Sequence, residues 1–81
     1  MAFHYVYILE SIQDRSRHYV RCTQCLEDCL RKHNAGAVPH TSKFRPWEIQ
    51  VAVAFREPSK AFEFERYLKS HSGRAFSKRH F

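Results

Sequence analysis

Glycine and proline are scarce in this chain, two and three of 81 residues, and no internal repeat, low-complexity tract or linker interrupts it. One domain over residues 1–81 is expected, near the lower limit of what folds without staples. Long apolar runs are missing too. None approaches the ~18 residues that span a bilayer, and no basic amphipathic helix of the membrane-surface kind stands out. No membrane partner is expected. The cysteines, Cys22, Cys25 and Cys29, are an odd three, clustered, with no apolar secretory segment before them. That argues against a disulfide framework and for a reducing, cytoplasmic setting. Acidic residues are in deficit: eight against fourteen Lys and Arg, a net +6 with histidine neutral and a pI near 9.6. On a small domain this favours a polyanionic partner, nucleic acid before acidic lipid. The alternative is charge that only solubilises. No protein partner can be inferred.

What is present suffices for one small core: 43% hydrophobic residues, with seven phenylalanines. Phe3 to Leu9 and Arg17 to Arg21 read as strands joined by the polar Ser11 to Ser16 connection. Thr23 is placed to cap a helix running to about His33, whose inward positions Leu26, Cys29, Leu30 and His33 follow i, i+3, i+4, i+7 spacing. Asn34 to Gly36 is a helix stop. After a loop with Pro39 and Pro46, Trp47 to Phe55 alternates as a third strand, expected at the sheet centre. Pro58 opens a second helix through Lys69, and Ser72 and Gly73 are expected to break it, leaving a basic tail with a last helical turn or two. The predicted fold is a small α/β (α+β) domain, a three-stranded, mainly antiparallel sheet flanked by helices.

Four residues stand out for chemistry. Glu65 borders the apolar stripe of Ala61, Phe64 and Leu68, so it either snorkels to the rim or is held for a metal or a partner. His33 shares the inward face of its helix, where a lone histidine is more often a hydrogen-bonded core residue than a catalyst. Tyr7 and Tyr19 taken singly are ordinary strand residues.

Their order carries more. Val6 to Ile8 (VYI), Tyr19-Val20, Thr23-Gln24 and His33 to Gly36 (HNAG), then HTSKFRPWE at His40 to Glu48, AFEFERYLKS from Ala61 and SGRAF ending at Phe76, together resemble the GIY-YIG nuclease family, in its small single-domain bacterial branch. The resemblance covers nearly the whole chain. It implies cleavage of phosphodiester bonds in nucleic acid, DNA foremost. It also implies that Tyr7 and Tyr19 lie at the active surface, one as general base or its helper. His33 assists, and Glu65 binds one divalent cation, Mg²⁺ or Mn²⁺, which suits a carboxylate oxygen and can polarise the phosphate.

Two positions depart from the family pattern. Arg21 stands where the second motif ends in glycine, and Cys29 stands where the family carries a helix arginine that grips the phosphate. A thiol supplies no positive fork, and losing such a cation commonly costs about a thousandfold in rate. Arg31, about 200° further round the helix, faces away. Arg21 is the residue placed to return the charge from the strand side. Impaired cleavage, or a nucleic-acid-binding domain that no longer cleaves, are the corresponding expectations.

The cysteines carry a rival reading. Cys25, Cys29 and His33 are neighbours on one helix face, and thiolates with imidazole bind zinc. One helix rarely wraps a tetrahedral ion, so zinc is not the expectation there, and buried inert thiols are. A redox-sensitive thiol at Cys22 or Cys25, its pKa lowered by Arg21 and the helix N-terminus, is the remaining possibility. For nucleic acid, Lys43, Arg45, Arg74, Lys78, Arg79 and His80, interleaved with Phe44, Phe76 and Phe81, are the candidate backbone-binding set; the alternative is a solvated tail.

Overall fold

The structure is a computed structural model and describes residues 2–81. Three strands, β1 (His4–Ser11), β2 (His18–Thr23) and β3 (Trp47–Phe55), and three helices, α1 (Leu26–Asn34), α2 (Pro58–Lys69) and α3 (His71–His80), follow in the order β1-β2-α1-β3-α2-α3. A short 3₁₀ turn, Ser42–Phe44, precedes β3. The sheet is antiparallel throughout, in the order β2-β1-β3. The expected α+β class is the one found.

The centre of the sheet is β1, which corrects the placement of the third strand there. Val6, Tyr7, Ile8 and Leu9 are each no more than 3% exposed. Such an unbroken run is what a strand covered on both faces requires, whereas the alternation of β3 leaves Glu48, Gln50, Ala52 and Ala54 in solvent and belongs to an edge. The two faces serve two layers. Val6 and Ile8 pack with Ala61 and Leu68 of α2 and with Phe76 of α3. Tyr7 and Leu9 pack with Trp47 and with Leu26, Cys29 and Leu30 of α1.

A β-bulge lets β3 serve both layers. Ile8 pairs with Val51 but Leu9 pairs with Ile49, so Gln50 is the extra residue. A strict period of two would put Trp47, Ile49, Val51 and Phe55 on one face. The bulge moves Trp47 and Ile49 to the α1 side and leaves Val51 and Phe55 on the α2 side, as an inserted residue must.

Two helix boundaries differ from expectation. The N-cap position of α1 is Cys25, without a side-chain cap. Thr23 lies two residues upstream, its hydroxyl accepting from the Cys25 amide at 3.0 Å, a turn made before the helix begins. At the other end Gly36, with φ of +80°, and Ala37 return their amides to the carbonyls of His33 and Lys32, the paired bonds that end a helix at a left-handed glycine. The basic tail is a full ten-residue helix, not a turn or two. Ser70 ends α2 and also caps α3, accepting from the Gly73 amide at 3.1 Å. Gly73 is therefore not a helix breaker. It sits against the last turn of α2, where a Cβ would overlap the Tyr67 carbonyl.

The consequence has a sign that tests it. Glycine to alanine inside a helix ordinarily stabilises by up to ~1 kcal/mol. Gly73→Ala is expected instead to destabilise by roughly 1–3 kcal/mol, as overpacking does, read as a lowered urea midpoint against an exposed control such as Ser72→Ala.

Candidate active site

Tyr7, Tyr19 and Arg21 all leave the sheet on its α1 side. In the β1–β2 pairing Tyr7 lies opposite Arg21 and Leu9 opposite Tyr19, and directly opposed residues share a face. The last turn of α1 delivers His33, only 4% exposed, against both tyrosine rings; its centroid is 5.2 Å from Tyr19 and 6.3 Å from Tyr7. The sequence-predicted trio is thus one cluster.

Hydrogen-bond geometry assigns the histidine tautomer. The Thr41 hydroxyl, 1% exposed, donates to the Val38 carbonyl at 3.2 Å, so toward the imidazole it is an acceptor. Nδ1–H of His33 therefore donates to it at 2.8 Å. Nε2 is left with its lone pair and accepts from the Tyr7 hydroxyl at 3.3 Å. The loop that carries Thr41 is held in turn: Trp47 Nε1 donates to the Thr41 carbonyl at 2.8 Å. Asn34 completes the frame, accepting from the Trp47 amide at 2.6 Å and donating to its carbonyl at 3.0 Å. The sequence reading missed Thr41. Its only signal was a position in the HTSKFRPWE stretch, because the bond it makes spans a loop.

The electrostatics follow from burial and from Arg21. Burial first, then the Arg21 charge, holds His33 below its ordinary pKa, so the imidazole is neutral at pH 7. Burial, with the Cys29 thiol beside the phenol, pushes Tyr7 well above the ordinary tyrosine range, and Arg21 opposes that rise. Cys29 occupies the α1 position against Tyr7 where a cation was expected, and Arg31 pairs outward with Asp28 at 2.5 Å, facing away as its spacing predicts.

Glu65 lies on the other face of β2. Its side chain is 18% exposed and pairs with Lys69 at 3.2 Å, and it adjoins Cys22, whose thiol contacts the Ala61 carbonyl at 3.6 Å. Burial and then Glu65 raise the Cys22 pKa to about 11, against smaller opposing effects of Lys69 and Arg21. This corrects the expectation of a lowered thiol pKa at Cys22: the neighbouring carboxylate and the apolar face outweigh the arginine. The strand edge at Arg21–Cys22 therefore has the Tyr7–Tyr19–His33 cluster on one side and Glu65 on the other, with Arg21 acting electrostatically on Tyr7 and His33 and on the Cys22 thiol.

The cysteines are dispersed: Cys22 faces α2, Cys29 on α1 faces Tyr7 and Leu9 of the sheet, and Cys25 is exposed. Among the described residues no three His, Cys, Asp or Glu side chains are grouped to hold a metal. The basic set also divides. Lys43 lies in the 3₁₀ turn and Arg45 follows it on the α1 side, where Phe44 packs against the core beneath Arg17, whose guanidinium is 4.5 Å from the ring centroid. Arg74 and Lys78 line a groove with Lys69 on the α3 side, which Tyr19 and Arg21 join at the β2 edge and outside which Arg79 falls. Phe76 is a core residue. The single groove expected from Lys43 to Arg79 is not formed, because the sheet stands between its two halves.

Two outcomes follow. Thr41→Val strands the buried Nδ1–H and is expected to cost about 1–3 kcal/mol; ¹⁵N shifts of His33 should report loss of the single tautomer, which Thr41→Ser retains. In pH titrations of stability, His33 binds its proton less readily folded than unfolded, so its contribution is complete above about pH 6.5 and is lost as pH falls through the lower folded value. Cys22 and Tyr7 act oppositely, and stability declines as pH rises past about 9 and then about 10. Denaturant midpoints from pH 5 to 11 should trace a plateau between these limits, with the acid slope reduced in His33→Gln.

Among curated proteins no sequence matches the chain. The family model for the GIY-YIG catalytic domain does, over residues 3–79. With nearly every residue inside the match, as well as the strand order and the tyrosine–histidine cluster, the chain belongs to the GIY-YIG family, whose domains are of the nucleic-acid-cleaving, nuclease type.

Proposed function

We propose that this chain is a divalent-metal-dependent endonuclease acting on DNA in a reducing cytoplasm, with the cleavage site at the exposed edge of β2. The observation that carries the reading is the position of Arg21. Its charge acts on Tyr7 and His33 from one side of the strand and on Cys22, beside Glu65, from the other. A phosphate drawn to that guanidinium lies between the phenols and the carboxylate. Arginine's planar fork suits the task, and it takes the role that Cys29 cannot.

Tyr19, the less buried of the two phenols, meets the attacking water. The proton is passed by way of Tyr7 to Nε2 of His33, which is kept unprotonated at neutral pH by burial and by Arg21. The Nδ1–H bond to Thr41 holds the ring in the accepting tautomer and steadies the imidazolium once formed. Arg21 offsets the charge that gathers on the phosphate oxygens.

Glu65 fits a single Mg²⁺ or Mn²⁺. Such an ion is commonly held by one or two carboxylates with substrate phosphate and water, not by an all-protein cage, and Glu65 is a single carboxylate beside the strand edge, paired with Lys69 and adjoining the Cys22 thiol. When bound, the ion supplies Lewis-acid stabilisation of phosphate charge. Lys43 and Arg45 are proposed to contact backbone phosphates on the α1 side.

A second reading rests on Cys29: with a thiol in the helix position, the domain binds nucleic acid and does not cut it. Cleavage of labelled branched and duplex DNA, with Mg²⁺ or Mn²⁺ against chelator, separates the two. The expected result is metal-dependent cutting, abolished by Glu65→Ala and reduced about a hundredfold or more by Arg21→Ala, as loss of a positioned charge does. Cutting by Cys29→Arg alone, with the parent inert, would establish the second reading.

A further inference from the structure

The α3 side of the sheet holds a groove that shares only Tyr19 and Arg21 with the proposed cleavage chemistry. Its rim is cationic: Lys69 at the end of α2, Arg74 and Lys78 along α3, and Arg21 where the groove meets the β2 edge. Among the described residues Arg21, Arg74 and Lys78 form no ion pair, so their charge is not neutralised inside the protein. The one carboxylate in the lining, Glu10, is engaged by Arg15 at 2.9 Å and by His18 at 3.4 Å. The floor is of another character. Ile8, Val20 and Leu68 form it, with the ring of Phe81, 40% exposed, at its wall.

We infer that this groove binds single-stranded nucleic acid, phosphates on the Lys69–Arg74–Lys78 rim and bases against the apolar floor and Phe81. A duplex turns its bases inward and offers only phosphates, so it would leave the floor and the aromatic ring unused. An acidic peptide would likewise satisfy the rim and not the floor. A single strand presents both chemistries at once, charge along one edge and flat apolar faces along the other, and basic grooves with aromatic platforms take such strands with little regard to sequence. Arg21 joins the groove to the proposed cleavage edge, so a strand lying in it leads to that edge. The inference rests on the nucleic-acid-cleaving reading of the family but not on any catalytic role of Tyr7, His33 or Glu65.

Fluorescence anisotropy of a labelled oligothymidylate with the full chain, in chelator, tests it apart from cleavage. The oligothymidylate should bind more tightly than a duplex of equal length or polyglutamate. The Arg74→Gln, Lys78→Gln double variant should weaken binding at least tenfold and lower the salt slope by about 0.7 for each phosphate no longer neutralised. Phe81→Ala should weaken it about tenfold, as removal of one base stack does, with the salt slope unchanged. Circular dichroism checks that these exposed changes leave the fold intact. Equal binding of duplex or polyglutamate, or full affinity in the double variant or in Phe81→Ala, would overturn the groove's assignment. Normal binding in chelator without cutting in Mg²⁺ or Mn²⁺ would support the groove and count only against the nuclease.

Discussion

His33 has almost no solvent, and a buried imidazole whose nitrogens go unanswered is costly. Both are answered from within, Nδ1 by Thr41 and Nε2 by Tyr7, and much of the local architecture serves that satisfaction. The loop between α1 and β3 has to place Thr41 over the ring, so it is fastened at three points: the left-handed turn at Gly36, the Asn34 side chain on the Trp47 backbone, and the Trp47 indole on the Thr41 carbonyl. Loosening any of these frees the ring to change tautomer. The structural requirement also suits the proposed chemistry, in which a histidine locked as an acceptor toward Tyr7 takes that proton.

The sheet puts position to a similar double use. Because β1 is buried on both sides, successive residues of one strand serve different layers: Val6 and Ile8 the helical pair α2–α3, Tyr7 and Leu9 the α1 layer. The bulge at Gln50 extends this to β3. The other edge, β2, has the tyrosine–histidine cluster on one face and Glu65 on the other. On the proposed reading, Glu65, on the far layer from Tyr7, meets the same substrate around that edge.

The parts legible in the sequence were those with local signals. Strand alternation, the i, i+4 face of α1, proline at the start of α2 and glycine after α1 were read from neighbours in the chain, and the family likeness supplied the order of the tyrosines, His33 and Glu65. What escaped depends on distant partners. The central place of β1 was hidden because β3 alternates so cleanly, a pattern that marks an edge as readily as a half-buried centre. The helix α3 was hidden by Gly73, whose absent side chain answers the Tyr67 carbonyl and not the local backbone. Thr41 carries no local signal at all. The division of the basic residues was unreadable for the same reason: sequence proximity of Lys43 to Arg45, or Arg74 to Arg79, says nothing about which side of a sheet each pair will occupy.

Arg21 and Cys29 are best understood together through this geometry. An arginine on α1 would approach a phosphate from above the phenols, across the buried floor of the α1 layer. One at position 21 approaches from the strand itself, opposite Tyr7, with its head in solvent. The two arrangements deliver the same sign of charge to the same cluster, but differently. On the helix, the cation would stand where the Cys29 thiol now abuts the Tyr7 phenol. From the strand it opposes the rise of the Tyr7 pKa and lowers that of His33 while remaining on the rim of the α3 groove. Moving the charge thus ties the chemistry of the tyrosine–histidine cluster to whatever lies in that groove. A strand bound there would compete for the guanidinium unless its own phosphate is the one being cut. On that constraint the proposed groove and the proposed cleavage edge would act on one continuous strand, not on two.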